Sequence, residues 1–75
     1  MNHAHLIRMA NQIGTFFDSM PDQAEAMEGL ALHIQRFWEP RMRQAFQDVL
    51  DGPEADQVLP IVREALQKHQ TLKVA

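Results

Sequence analysis

The middle of the chain reads Arg36-Phe37-Trp38-Glu39-Pro40-Arg41-Met42-Arg43, and a helix boundary is predicted inside this segment. A residue that precedes proline is pushed out of the helical region, whereas proline itself suits the first position of a helix. One helix should therefore end by Glu39 and another should begin at Pro40. The sequence predicts a tight corner between two helices at this point.

Pro21, Pro53 and Pro60 mark the other helix boundaries, because proline lacks an N–H group and clashes with the preceding turn. Between the prolines, apolar residues recur at spacings of three and four, which is typical of one helix face. We predict helices at about residues 3–19, 22–38, 40–51 and 60–69, a linker or single turn at 53–58, and a frayed end over the last six residues. The predicted inward residues are Leu6, Met9, Ala10, Ile13, Phe16, Phe17 and Met20 in the first helix, Ala24, Met27, Leu30, Ala31, Ile34, Phe37 and Trp38 in the second, Met42, Ala45, Phe46, Val49 and Leu50 in the third, and Ile61, Val62, Ala65 and Leu66 in the fourth.

The chain contains no alternating run of β-branched residues and no internal repeat. The predicted fold class is therefore all-α, a single domain over residues 1–75 built as a small antiparallel three- to four-helix bundle. Gly14 and Gly29 lie inside helices, where each costs about 1 kcal/mol relative to alanine. Either the first helix crosses the second at these points, or a partner's backbone approaches there.

Composition narrows the possible functions. Seven Lys and Arg against ten Asp and Glu leave a net charge of −3, which opposes binding to nucleic acid. The longest uninterrupted apolar run is Leu30-Ala31-Leu32, so no membrane segment is predicted, and without a signal-peptide pattern we expect a cytoplasmic protein. In a chain of 75 residues with no cysteine, apolar burial and lost conformational entropy nearly cancel. A partner would most easily stabilise such a chain.

No catalytic, cofactor-binding or metal-ligating set is predicted. A carboxylate-bridged metal bundle uses Glu-x-x-His pairs, whereas Glu28 and His33 are five residues apart. Glu25 and Glu28 form a conceivable acid/base pair, but carboxylates at a helix start are also what the helix dipole favours. We expect solvated or capping roles for the four histidines, His3, His5, His33 and His69.

The corner at residues 36–43 combines the chemistry of a protein interface. Tryptophan and arginine dominate the residues that anchor interfaces, because one has a large rigid face and the other a forked set of donors. The predicted partner-binding residues are Trp38, Arg41, Arg43, Arg36 and Pro40 at the corner and Arg8, Asn11 and Gln12 on the first helix. The alternatives are that Trp38 and Phe37 close the core beside solvated arginines, and that the strip on the first helix is an ordinary solvated face.

Three blocks of the sequence carry a resemblance to a known family. They are His5-Leu6-Ile7-Arg8-Met9-Ala10-Asn11-Gln12-Ile13, then His33-Ile34-Gln35 with the corner through Arg43, and Pro60-Ile61-Val62-Arg63-Glu64-Ala65-Leu66. With these blocks the chain resembles the small delta subunit of the soluble NAD-dependent formate dehydrogenases. One position departs from the pattern, because Leu59 stands where a serine cap would be expected before the last proline.

The resemblance implies an accessory role in a cytoplasmic enzyme complex. In that complex a catalytic alpha subunit carries a bis-molybdopterin guanine dinucleotide centre with Mo or W and iron–sulfur clusters, and beta and gamma subunits carry FMN and the NAD site. The resemblance assigns none of these cofactors to the delta subunit, which would bind the alpha subunit and support assembly or stability. The alternatives are a transient assembly chaperone for molybdenum cofactor insertion and a small helical ligand- or metal-binding module.

Overall fold

A computed structural model of the chain describes residues 2–69, and these residues form helices without a strand. The elements are α1 (His3–Asp18), α2 (Gln23–Phe37), α3 (Pro40–Asp51), one 3-10 turn (Ala55–Gln57) and α4 (Pro60–Lys68). The all-α prediction is confirmed, and each α-helix begins and ends within one residue of its predicted range. The predicted fraying of the last six residues lies outside the described residues.

Each helix begins with a recognisable local signal. The Asn2 side chain accepts a hydrogen bond from the His5 backbone N–H at 3.2 Å, and the Asp22 side chain accepts one from Glu25 N–H at 3.1 Å. These bonds satisfy backbone donors that the first helical turn leaves free. α3 and α4 instead begin with a proline, which has no N–H group to satisfy.

The core lies where α1, α2 and α4 pack together, and α3 packs against α1. Burying a large aliphatic or aromatic side chain contributes about 1.5–3 kcal/mol each, so the core supplies most of the driving force for folding. Its largest fully buried side chains are Phe46, Leu6, Leu30, Ile34, Val49, Val58 and Val62. The predicted inward set of α4 is confirmed, since Ile61, Val62, Ala65 and Leu66 are all buried.

Some predicted core residues face solvent instead. Phe16 is 71% exposed, Phe37 is 70% exposed and Ala24 is also exposed, so these three predictions are wrong. Phe16 stands next to Phe17, and neighbours in a helix point about 100° apart. Phe37 is the last residue of α2, and Trp38 follows it in extended backbone. Only one member of each pair turns inward. The buried apolar side chains that the prediction omitted are Ile7, Ala26 and Val58.

The two helical glycines allow other parts of the same chain to approach closely. A Cβ atom on Gly14 would lie 2.6 Å from Val62 Cγ2, so α1 meets α4 at this point and the expected contact with the second helix is wrong. A Cβ atom on Gly29 would lie 2.8 Å from Cε1 of Phe17, so the crossing of α1 and α2 is confirmed there.

Candidate protein interface

The corner between α2 and α3 is built over a buried tryptophan. α2 ends at Phe37, and Trp38 follows in extended backbone. Trp38 is only 5% exposed, and its ring meets that of Phe46 in a T-shaped contact with 5.6 Å between centroids. Its ring is therefore not on the surface. Trp38 therefore has a structural role beneath the corner, as the core-closing alternative expected, and its part in an interface stays a prediction.

Three arginines surround this corner at different depths. Arg36, in the last turn of α2, and Arg41, directly after Pro40, are exposed, whereas Arg43 is half-buried. Within residues 2–69, neither Arg36 nor Arg41 forms an ion pair. The corner therefore leaves two cations and the exposed Pro40 ring accessible to another molecule, and the assignment of these residues to an interface stays a prediction.

The predicted strip on α1 divides into two kinds of residue. Arg8 and Gln12 are exposed. Asn11 instead joins α1 to the segment before α4: its Nδ2 donates to the Gln57 carbonyl at 3.0 Å, and its Oδ1 accepts from Leu59 N–H at 3.0 Å. Leu59 has no side-chain cap of its own. Asn11 thus stabilises the start of α4, and its assignment to a partner interface stays a prediction.

Asn11→Ala is expected to lower the free energy of unfolding by about 1–3 kcal/mol, because it removes both hydrogen bonds and leaves a half-buried backbone donor unpaired. Gln12→Ala is the matched control, since the neighbouring side chain is exposed and should change stability by less than about 0.5 kcal/mol. Urea unfolding followed by circular dichroism compares the two variants. Equal stability would show that the Asn11 bonds contribute nothing.

The histidines occupy different environments. His3 lies 3.0 Å from Glu54, Nδ1 to Oε1, and so links the first turn of α1 to the segment after α3. His5 and His69 are exposed. His33 is partly buried between two phenylalanine rings, so the expectation that it is solvated or capping is wrong.

Four rings form a continuous row across α1 and α2, which we call the aromatic row. Its members are Phe16, Phe17, His33 and Phe37. Successive ring centroids lie 5.2 Å apart for the first pair, 6.2 Å for the second and 4.8 Å for the third. Phe16 and Phe37, at the two ends, are the most exposed large apolar side chains described. This surface was not predicted from the sequence.

A signal for the aromatic row does exist in the sequence. Gly29, His33 and Phe37 follow each other at intervals of four, so they lie on one side of α2. Gly29 provides the space in which the Phe17 ring rests. The pattern could have been found by searching for a helix face that carries a glycine together with aromatic residues.

Residues that could ligate a metal are few and scattered in the part of the chain that the structure describes. The chain has no cysteine to ligate an iron–sulfur cluster. In the part of the chain that the structure describes, no three His, Asp or Glu side chains come together as a possible metal site. Surface depressions on the α2–α4 side are lined by flexible side chains, one of them by Met27, Glu64, Gln67 and Lys68.

Comparison with known families assigns the chain to one of them. Residues 5–66 match the family model described as "NADH-dependant formate dehydrogenase delta subunit FdsD". The chain belongs to this delta-subunit family. No curated protein and no solved structure matches the chain.

Membership of the delta-subunit family places the chain in an oxidoreductase complex that uses NAD and formate. The matched range includes the α2–α3 corner, the Asn11 contacts and the whole aromatic row. None of the described helices is long and apolar enough to cross a lipid bilayer.

Proposed function

We propose that the chain is a non-catalytic delta subunit that binds the catalytic alpha subunit of a cytoplasmic NAD-dependent formate dehydrogenase. It supports the assembly or stability of the complex, in which the alpha subunit carries the molybdenum or tungsten pterin centre and iron–sulfur clusters, and the beta and gamma subunits carry FMN and the NAD site. The family match over residues 5–66 is the observation that carries the proposal. The exposed cations at the corner support it, because they suit contact with another protein.

Co-purification tests this function directly. Formate dehydrogenase purified through a tag on its alpha subunit should contain this chain in a one-to-one ratio when the enzyme is fully active. A chain recovered only with cofactor-free enzyme would indicate a transient chaperone instead. Its absence from both preparations would contradict the proposal.

Arg41 should contribute to the contact with the alpha subunit. It lies at the start of α3, where the positive end of the helix dipole disfavours its charge and no ion pair within residues 2–69 compensates. A carboxylate or carbonyl on the partner would supply that compensation. Arg41→Ala should weaken association by about 1–3 kcal/mol and leave the fold almost unchanged.

Affinity for the purified alpha subunit measures this effect, with circular dichroism as a folding check. Lys68→Ala is the matched control, because Lys68 is an exposed cation in the last turn of α4, away from the corner in the chain. Arg43→Ala is less informative, since Arg43 is half-buried and its stem contributes packing. Equal affinities for Arg41→Ala, Lys68→Ala and the unaltered chain would remove Arg41 from the interface.

A further inference from the structure

The aromatic row exposes apolar surface at two linked points. Phe16 is 71% exposed and Phe37 is 70% exposed, which together leave roughly 200–300 Å² of ring surface in water. The two rings between them, Phe17 and His33, are partly buried and connect the exposed ends. Exposed aromatic rings at both ends of one row are side chains of the kind that anchor protein interfaces.

Two exposed side chains of opposite charge lie beside the aromatic row on α2. Glu25 lies four residues before Gly29, and Arg36 lies three residues after His33, so both border the row on the helix surface. Both side chains are exposed, and within residues 2–69 neither forms an ion pair. They are about 16 Å apart along the axis, which is three turns of a helix.

The residues around Glu25 and Arg36 show the same separation of negative from positive charge. No Lys or Arg occurs between Arg8 and Arg36, whereas Asp18, Asp22, Glu25 and Glu28 all fall in that interval. The first half of α2 is therefore acidic, and the end of α2 with the corner is basic. A partner laid along the row would meet negative charge at one end and positive charge at the other.

We propose that the aromatic row is the docking surface for an amphipathic helix of a larger formate dehydrogenase subunit. The apolar stripe of that helix lies on Phe16 and Phe37, its basic end lies near Glu25, and its acidic end lies near Arg36. This inference rests on the proposed function and deepens it, because it adds an apolar centre to an interface so far assigned only to the arginine corner. Side chains at the middle of such contacts supply most of the affinity, and charged rims set the orientation.

The length and the charge pattern of the row suit an amphipathic helix with a basic and an acidic end. A partner helix three turns long is as long as the distance between Glu25 and Arg36 along α2. Its apolar side chains would recur every three or four residues on the face that meets the row. A second copy of this chain is the competing occupant, since an antiparallel copy would also oppose acidic and basic ends. Membership of an enzyme-subunit family favours the larger subunit.

The test is retention of the chain on formate dehydrogenase purified through a tag on the alpha subunit. The unaltered chain is compared with the double variant Phe16→Ser and Phe37→Ser, and mass spectrometry gives the ratio of the chain to the alpha subunit. We expect the ratio to fall about tenfold or more in the double variant. Leu32→Ser is the matched control: Leu32 is 42% exposed and its side chain points about 100° around α2 from that of His33, so retention should fall much less than in the double variant.

Charge reversal provides the second arm. Arg36→Glu should reduce retention several-fold, whereas Lys68→Glu should not, although both replace an exposed cation in the last turn of a helix. Because the two changes disturb their own helix dipoles alike, a difference between them reports the partner's charge. Circular dichroism of each isolated variant checks that the helical fold is kept.

The outcomes separate the two proposals. If the unaltered chain is absent from the enzyme, the proposed function fails and the docking inference fails with it. If the unaltered chain and the double variant are retained equally, only the docking inference is overturned. If the double variant no longer self-associates but is fully retained on the enzyme, the row binds a second copy of this chain. If Leu32→Ser lowers retention as much as the double variant does, the contact does not lie on the row. Either result contradicts the inference.

Discussion

Trp38→Ala is expected to lower the free energy of unfolding by about 3–5 kcal/mol, the range for removing a large buried aromatic side chain. Trp38 is 5% exposed, and its ring closes the core against Phe46, itself fully buried. Small domains have a total stability of about 5–15 kcal/mol, so this loss is a large part of the whole. The melting temperature should fall by about 15 °C or more.

Phe37→Ala is the control for this change, because Phe37 is adjacent in sequence yet 70% exposed. It should alter the free energy of unfolding by less than about 1 kcal/mol. Thermal unfolding followed by circular dichroism compares the two variants at equal protein concentration. If Phe37→Ala were as damaging as Trp38→Ala, the contrast between the buried and exposed ring would be wrong.

Removing the delta subunit from cells is expected to reduce the yield of active formate dehydrogenase several-fold. A partner present at about a hundred times its dissociation constant stabilises the protein it binds by about 2.7 kcal/mol, and losing that contribution increases the unfolded and degraded fraction. Active enzyme per cell, measured with and without the subunit, gives the effect. Restoring the unaltered subunit should restore the yield, whereas the Phe16→Ser and Phe37→Ser double variant should restore much less.

The helices could be predicted from the sequence because proline acts locally. Pro40 and Pro60 each begin a helix for reasons contained in their own ring and the preceding residue. It was harder to predict which apolar residues are buried, because periodicity identifies the apolar face of a helix but not which residues lie at the middle of that face. Adjacent aromatic residues such as Phe16 and Phe17 both fall near the stripe, and only the position of α2 decides which ring is covered.

The candidate surface was less predictable than the fold. Asn11 lies on a polar strip, and the sequence could not show that its amide meets Gln57 and Leu59, which are more than forty residues away. Trp38 has the composition of an anchor but follows the last residue of α2 in extended backbone, which turns its ring inward. The family could be inferred from the quoted blocks because they lie at the start, the middle and the end of the matched range.

The most direct test of the central claim is the KM for formate of enzyme matched for molybdenum or tungsten content, prepared with and without this subunit. A subunit that binds the alpha subunit without taking part in the chemistry should leave the KM and the turnover per metal centre unchanged, even though the amount of active enzyme falls. A large shift in KM, or a loss of turnover in fully loaded enzyme that the returned subunit restores, would contradict a non-catalytic role.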